Sequence, residues 1–160
     1  MRSTHTEETA REALPAAVIN PNPEAQWLLA QARNAAFAEA AHGRVGRGLA
    51  VLAGALEQEP LSHELLSDMA ALLLSAGELA LAARYAREAL LITPHHGASL
   101  YTLGFALAGQ GEEAEALQVL TQLLAGQGLL SLEREAPELV GLVRTELARL
   151  QSRADVPATR

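Results

Sequence analysis

Apolar residues recur at helical spacing near the end of the chain. The stripe consists of Leu139, Val143, Leu147 and Leu150. Acidic Glu138 precedes it and arginines follow near its end, which suits the dipole of a helix. This pattern predicts a helix over 137–152, with Pro137 as its first residue. The apolar, glycine and proline positions predict six earlier helices, at about 23–42, 45–58, 62–75, 78–92, 97–109 and 112–126.

Four other segments complete the predicted organisation. Residues 1–22 are predicted to form a largely disordered arm, because they are polar and Ala-rich and contain the helix breaker Pro15. Asn22 is expected to cap the first helix. Trp27 is either a core residue or a surface anchor, and its place beside Leu28 at the start of the helix favours the core. Glycines after 125 predict a short linker that reaches Pro137, and residues 153–160 are predicted as a frayed tail.

A second pattern has a period of 34 residues. Gly43, Gly77 and Gly111 stand at this interval, and small residues or prolines recur with them. The accompanying series are Pro60, Pro94 and Gly128; Ala36, Ala70 and Gly104; Gly48, Ala82 and Ala116; and Ala55, Ala89 and Leu123. A fixed period of this length is typical of a solenoid, in which each unit buries its apolar face against its neighbours. The predicted units are 29–62, 63–96 and 97–130.

The unit resembles the tetratricopeptide repeat (TPR), in which a helix, a tight turn and a second helix run antiparallel. The resemblance implies an all-α, antiparallel helix-pair solenoid over 23–152, with three TPR-like units and a C-terminal capping helix. The glycine would end the first helix of each unit, small residues would lie at the helix crossings, and the proline would end the second helix. In the third unit Gly128 would replace that proline.

The resemblance also implies a site. In TPR proteins the first helix of each unit lines a concave surface that holds a peptide or a helix of a partner. The residues of this chain that match those positions form the predicted partner-binding groove. They are Arg33, Phe37, Glu64, Ser67, Ala71, Leu74, Tyr101 and Phe105, with Ala30, Ala40, Ala98 and Ala108 beside them. Phe37, Tyr101 and Phe105 are the expected anchors, unless they serve only as packing.

Some TPR proteins bind a C-terminal carboxylate with a clamp of Lys, Arg and Asn. Here Phe37 and Asp68 stand where that clamp has amides, and Ala98 replaces a Lys. Only Arg33 is suitably basic. The sequence therefore disfavours a carboxylate clamp, and it predicts a groove that is more apolar than charged.

Composition excludes several kinds of chemistry. The chain has no cysteine and all twelve basic residues are arginine, so thiolate, Schiff-base and P-loop chemistry are excluded. No cofactor, metal site or catalytic set is predicted, and His95 and His96 are interpreted as an exposed turn that could help to cap a helix. A net charge of −7 without a basic stripe argues against nucleic acid. Without a signal sequence or membrane helix, a cytoplasmic protein without membrane insertion is expected.

These observations predict a non-enzymatic protein–protein interaction module. Two alternatives remain open. The architecture is similar to that of the class II chaperones of bacterial type III secretion, which hold translocator proteins. The chain could instead self-assemble as a homo-oligomeric scaffold, with the arm of one copy in the groove of the next. The sequence does not show whether the chain's own arm occupies its groove.

Overall fold

The computed structural model describes residues 22–156. All regular secondary structure in this part of the chain is helical. The helices are α1 (Pro23–Ala41), α2 (Val45–Gln58), α3 (His63–Ser75), α4 (Leu79–Ile92), α5 (Gly97–Gly109), α6 (Glu113–Leu123), α7 (Gln127–Glu135) and α8 (Leu139–Ala154). The first six form three consecutive pairs, α1 with α2, α3 with α4 and α5 with α6, and neighbouring pairs pack on each other. The predicted all-α helix-pair solenoid is therefore confirmed.

The turn within each pair depends on the repeated glycine. Gly43, Gly77 and Gly111 have φ angles of +77°, +79° and +83°, which L residues with a side chain rarely adopt. In the second pair the Glu78 amide donates to the Leu73 carbonyl at 2.9 Å. This bond closes the helix end as in a Schellman motif. The 34-residue interval is thus the repeat of one turn geometry, as predicted.

Small residues permit the helix crossings. A Cβ on Gly48 would lie 2.6 Å from the Ala36 carbonyl oxygen, and a Cβ on Gly104 would lie 2.3 Å from Leu120 Cδ2. Ala70 and Ala82 are fully buried at the equivalent places. The core accordingly consists mainly of alanine and leucine.

Trp27 lies at the surface, with 57% of its area exposed, so of the two positions that the sequence left open, the favoured one in the core is wrong. It stands on α1, the first helix that the structure describes, which packs against α2 and α3.

The predicted linker before Pro137 is also wrong, because this segment contains α7. Gly126, with φ +58°, forms the turn after α6. Gly128 does not end α6 but lies buried inside α7. A Cβ on Gly97 would lie 2.5 Å from the Leu132 backbone nitrogen. Glycine here permits a close approach of backbones between α5 and α7.

The last helix covers the end of the solenoid. α8 packs on α6 and α7, with Val143 and Leu150 buried and Leu139 and Leu147 packed against the core. It begins after Pro137 and Glu138, slightly later than predicted. Arg153 lies inside α8 and pairs with Glu113 at 3.1 Å, although it was predicted as frayed.

The chain ends fall largely outside the described residues. Of the predicted arm 1–22, only Asn22 is described, and its Oδ1 accepts the Glu24 amide at 3.1 Å as a helix cap. Residues 157–160 of the predicted tail lie outside as well. Between residues 22 and 156, no helix has both the length and the apolar character needed to cross a membrane.

Candidate functional site

A concave groove of about 660 Å³ lies along the first helices of the three pairs. α1 and α3 form its length, the start of α5 contributes to its floor, and the junction between α7 and α8 closes one end. Its lining comprises Arg33, Phe37, His63, Glu64, Ser67, Asp68, Ala71, His96, Ala98, Glu135, Ala136, Glu138 and Leu139. The groove therefore combines a polar floor with apolar wall residues.

The structure brings five of the predicted groove residues together. Arg33, Phe37, Glu64, Ser67 and Ala71 all line this cavity. Phe37, with 41% of its area exposed, is its aromatic wall. Of the residues predicted beside them, Ala98 lines the cavity as well.

The other three predicted residues do not line this cavity. Leu74, Tyr101 and Phe105 are partly buried and pack against the core. The rings of Tyr101 and Phe105 stack with their centroids 4.5 Å apart, and burial raises the pKa of the Tyr101 hydroxyl. These contacts are those of packing residues, and a role of this pair in binding stays a prediction.

The single arginine of the groove is already paired. Arg33 Nη2 donates to Asp68 Oδ1 at 3.2 Å, and its Nε donates to Asp68 Oδ2. Its Nη1 also lies 3.8 Å from Glu64 Oε1. The bond to Asp68 raises the pKa of Arg33. Burial raises the pKa of Asp68, and Arg33 opposes that shift. The guanidinium is therefore engaged by the protein's own carboxylates.

His96 does not lie in an exposed turn, as the sequence suggested for the His95–His96 pair; only His95 is exposed. His96 is 8% exposed and begins α5 as its N-cap residue. Its Nδ1 lies 2.8 Å from Ser99 Oγ and its Nε2 lies 3.1 Å from Glu135 Oε2. This pattern fits a neutral imidazole that accepts from Ser99 and donates to Glu135. Burial lowers the pKa of His96, against the influence of Glu135.

The histidine belongs to a small network that fixes the closed end of the groove. Ser131 Oγ accepts the Gly97 amide at 2.9 Å and donates to Glu135 Oε1 at 3.2 Å. The His63 and His96 rings meet edge to face, 5.1 Å between centroids. The network joins α3, α5 and α7, so the position of Glu135 in the groove is set by several bonds.

The groove is more charged than the sequence suggested. Glu64, Asp68, Glu135 and Glu138 line it together with one guanidinium, which leaves a formal charge of −3 when the histidines are neutral. Apolar atoms still make up the larger part of the lining surface, so the prediction of a groove that is more apolar than charged is not overturned, but it missed this cluster of carboxylates. The structure brings carboxylates from α3 and carboxylates from the α7–α8 junction into the same groove, although these two segments lie far apart in the sequence.

Several polar side chains of the groove floor are engaged by the protein itself. Within residues 22–156, no group of three or more His, Asp or Glu side chains is placed to hold a metal ion. The polar side chains of the floor bind each other, and buried side-chain nitrogen and oxygen atoms of the described residues all have partners. What remains open to a ligand is the rim, with Glu64, Glu138 and Phe37.

Two solved structures with similar folds are TPR domains. The second TPR domain of human RPAP3, in an NMR complex with the HSP70 peptide SGPTIEEVD, aligns with a TM-score of 0.63 and 17% identity, over 79% of this chain and 98% of that one. The Sgt2 TPR domain from Aspergillus fumigatus aligns with a TM-score of 0.66 and 19% identity, over 88% of this chain and 89% of that one. No family model matches the sequence, and no curated protein matches it. The chain has the TPR fold.

Proposed function

We propose that this TPR-fold chain is a non-enzymatic protein–protein interaction module, which holds a segment of a partner protein in the groove. The segment is a peptide or an amphipathic helix, and it carries at least one positively charged side chain beside an apolar one. The observation that carries this proposal is the groove itself, with its excess of carboxylates around one paired arginine and the half-exposed ring of Phe37.

The charge of the groove supports a cationic ligand. Glu64 and Glu138 reach the groove from opposite sides, α3 and the start of α8, and neither is buried. An arginine or lysine between them would gain two carboxylate contacts. Complementary charge of this kind contributes mainly to specificity and to the rate of association.

The peptide of the RPAP3 complex has the opposite character, since SGPTIEEVD is acidic. An acidic C-terminus would meet the carboxylates of this groove, and the one arginine is held by Asp68. We therefore expect this chain to select different partners, although the fold is shared.

The test is capture of partners from a lysate of the source cells by three forms of the protein. The first is wild type and the second carries Phe37→Ala, Glu64→Gln and Glu138→Gln. The third is a control with Leu81→Ala and Arg84→Gln, on exposed positions of α4 outside the groove. Circular dichroism first establishes that all three forms are folded.

We expect at least one protein to bind wild type and control equally and to be lost from the groove variant. Its retention should also fall as salt is raised, because rim charges are screened beyond about 8–10 Å at ordinary ionic strength. Equal recovery of the partner protein by all three forms would show that it binds outside the groove and would refute the proposal.

The more specific hypotheses remain predictions. A bacterial, cytoplasmic chaperone of type III secretion would hold an apolar translocator client, but the carboxylates of the groove do not favour such a client. A homo-oligomeric scaffold would need a basic segment of a second copy in the groove. Neither hypothesis is supported by a specific contact among the described residues.

A further inference from the structure

A second cavity of about 350 Å³ lies at the other end of the solenoid, and it shares no lining residue with the groove. We call it the end cavity. It lies between the first turns of α1 and the last turns of α2. Its walls are Leu28, Leu29 and Ala32 of α1 with Val51 and Ala55 of α2, and it also contacts Leu65 of α3.

The end cavity is almost wholly apolar and is open to solvent in the described part of the chain. Among the described residues that line it, only Gln58 and Glu59 are polar. Leu28 at its edge is 54% exposed, and the neighbouring Trp27 is 57% exposed. Adjacent exposed apolar residues beside an apolar cavity mark a surface that binds something. In a solenoid, the end units need a cover for this kind of face.

The chain itself supplies a matching segment. Residues 1–21 precede Asn22, which caps the start of α1 directly beside the end cavity. Within them, residues 13–19 read ALPAAVI, without a single charged or hydrogen-bonding side chain. Residues 1–12, by contrast, are mostly polar or charged. The apolar part of the segment is therefore the part nearest to the cavity.

The segment is long enough to reach across the end cavity. From Asn22 to Ala32, α1 rises about 15 Å, at about 1.5 Å a residue. The eight residues from Asn22 back to Leu14 span up to about 26 Å when extended. A turn at residues 20–22, where asparagine and proline alternate, would direct the segment back along α1.

We propose that residues 13–19 of the same chain fold back along α1 and fill the end cavity, with Leu14, Val18 and Ile19 as the inserted side chains. Because the segment is tethered next to its site, its effective concentration is on the order of millimolar, and a modest apolar contact is enough to hold it. This contact covers the open end of the solenoid as α8 covers the other, and it leaves the groove free for a partner.

The absence of cysteine from the chain allows a direct test. The test variant carries Val18→Cys and Ala55→Cys. The matched control carries Val18→Cys and Ala53→Cys, two residues away on α2 at an exposed position outside the end cavity. Disulfides form only where Cα atoms approach within about 7 Å. Both full-length proteins are equilibrated in a glutathione redox buffer and examined by non-reducing electrophoresis and mass spectrometry.

We expect the 18–55 pair to form an intramolecular disulfide at least about tenfold more readily than the 18–53 pair, at every protein concentration. Equal cross-linking in the two variants would overturn the proposal. A fraction of disulfide-linked dimers that increases with protein concentration would also overturn it, because the end cavity would then hold the arm of a second copy. If Ala55→Cys disturbs folding in circular dichroism, the pair Val18→Cys and Ala32→Cys tests the same contact from α1.

Discussion

Among single residues, His96 is a titratable side chain that lies where α3, α5 and α7 meet. Burial lowers its pKa below the ordinary value of 6.5, despite the nearby Glu135. Between the pKa of His96 in the folded chain and its value in the unfolded chain, the unfolded chain therefore binds a proton more readily than the folded one. Over this range of pH, the free energy of unfolding rises with pH. The contribution of His96 is present above about pH 6.5 and is lost as the pH falls through its lower folded value.

We predict that His96→Gln makes the free energy of unfolding less dependent on pH below about pH 6.5, where the folded and the unfolded chain differ in proton binding at this residue. Urea denaturation at several pH values would measure this slope. His95→Gln is the matched control, because its side chain is exposed next to the same helix end, and it should leave the slope unchanged. An identical slope for wild type and His96→Gln would contradict the prediction.

Asp68 determines whether the groove offers a free cation. We predict that Asp68→Asn increases the affinity of the protein for the acidic peptide SGPTIEEVD by about tenfold, or about 1.4 kcal/mol. The reason is that Arg33 loses its carboxylate partner and an amide takes the place of a repelling charge. Isothermal titration calorimetry measures the change. Asp155→Asn, an exposed control outside the groove, should have no effect, and an unchanged affinity for Asp68→Asn would contradict the prediction.

At the scale of elements, close backbone contact holds α7 against α5. A Cβ on Gly97 would lie 2.5 Å from the Leu132 nitrogen and 2.8 Å from the Gly128 oxygen, which are backbone atoms that cannot rotate away. We predict that Gly97→Ala lowers the free energy of unfolding by about 1–3 kcal/mol, the range for overpacked interiors. Chemical denaturation followed by circular dichroism gives the value.

The control for this prediction is Gly54→Ala in the middle of α2, where an added Cβ would have no neighbour within 4 Å. There alanine should stabilise by about 0.5–1 kcal/mol, because glycine is a poor helix former. Similar effects of the two substitutions would mean that α7 does not pack tightly on α5.

The helices were largely predictable from the sequence, but α7 was not. Turn glycines, capping residues and apolar spacing act over a few residues, so α1 to α6 and α8 could be located from local patterns. Gly126 and Gly128 look locally like a linker, and Gly128 is in fact needed because Leu123 and Leu100 approach it closely. One signal was available: Ser131 follows Gly97 by another 34 residues, and the two are hydrogen-bonded.

At the scale of the whole molecule, charge distribution distinguishes the groove. Its formal charge of −3 is a large share of the −7 of the chain. We predict that a basic variant of the RPAP3-bound peptide, with lysine for its three acidic residues and an amidated end, binds at least about tenfold more tightly than SGPTIEEVD at low salt. Fluorescence anisotropy at rising ionic strength would measure both peptides.

This preference should shrink with salt, since the screening length falls from about 30 Å at 0.01 M to about 3 Å at 1 M. The double variant Glu64→Gln and Glu138→Gln should reduce it, whereas Glu133→Gln, on an exposed position outside the groove, should not. A preference that the double variant retains would place the electrostatic attraction elsewhere on the surface.

The groove could be predicted only in part for the same reason that α7 was missed. Arg33, Phe37 and Glu64 follow from the position of each residue within a repeat. Glu135 and Glu138 come from the segment after the third predicted unit, and their place depends on how α7 packs. The pairing of Arg33 with Asp68 joins two units and depends on the distance between helices. Such contacts belong to the assembled solenoid.

The turn glycines also have a consequence for chirality. At Gly77, φ is +79° and the residue is exposed, so the backbone occupies a region that strains L amino acids and relaxes their mirror images. A D-alanine introduced there by semisynthesis should therefore stabilise the protein by about 0.4–1 kcal/mol, through the lost freedom of the unfolded chain, whereas L-alanine should destabilise it. In each repeat the chain reverses direction at a single residue whose φ angle is that of a mirror-image backbone. Glycine adopts this angle without strain because it is achiral.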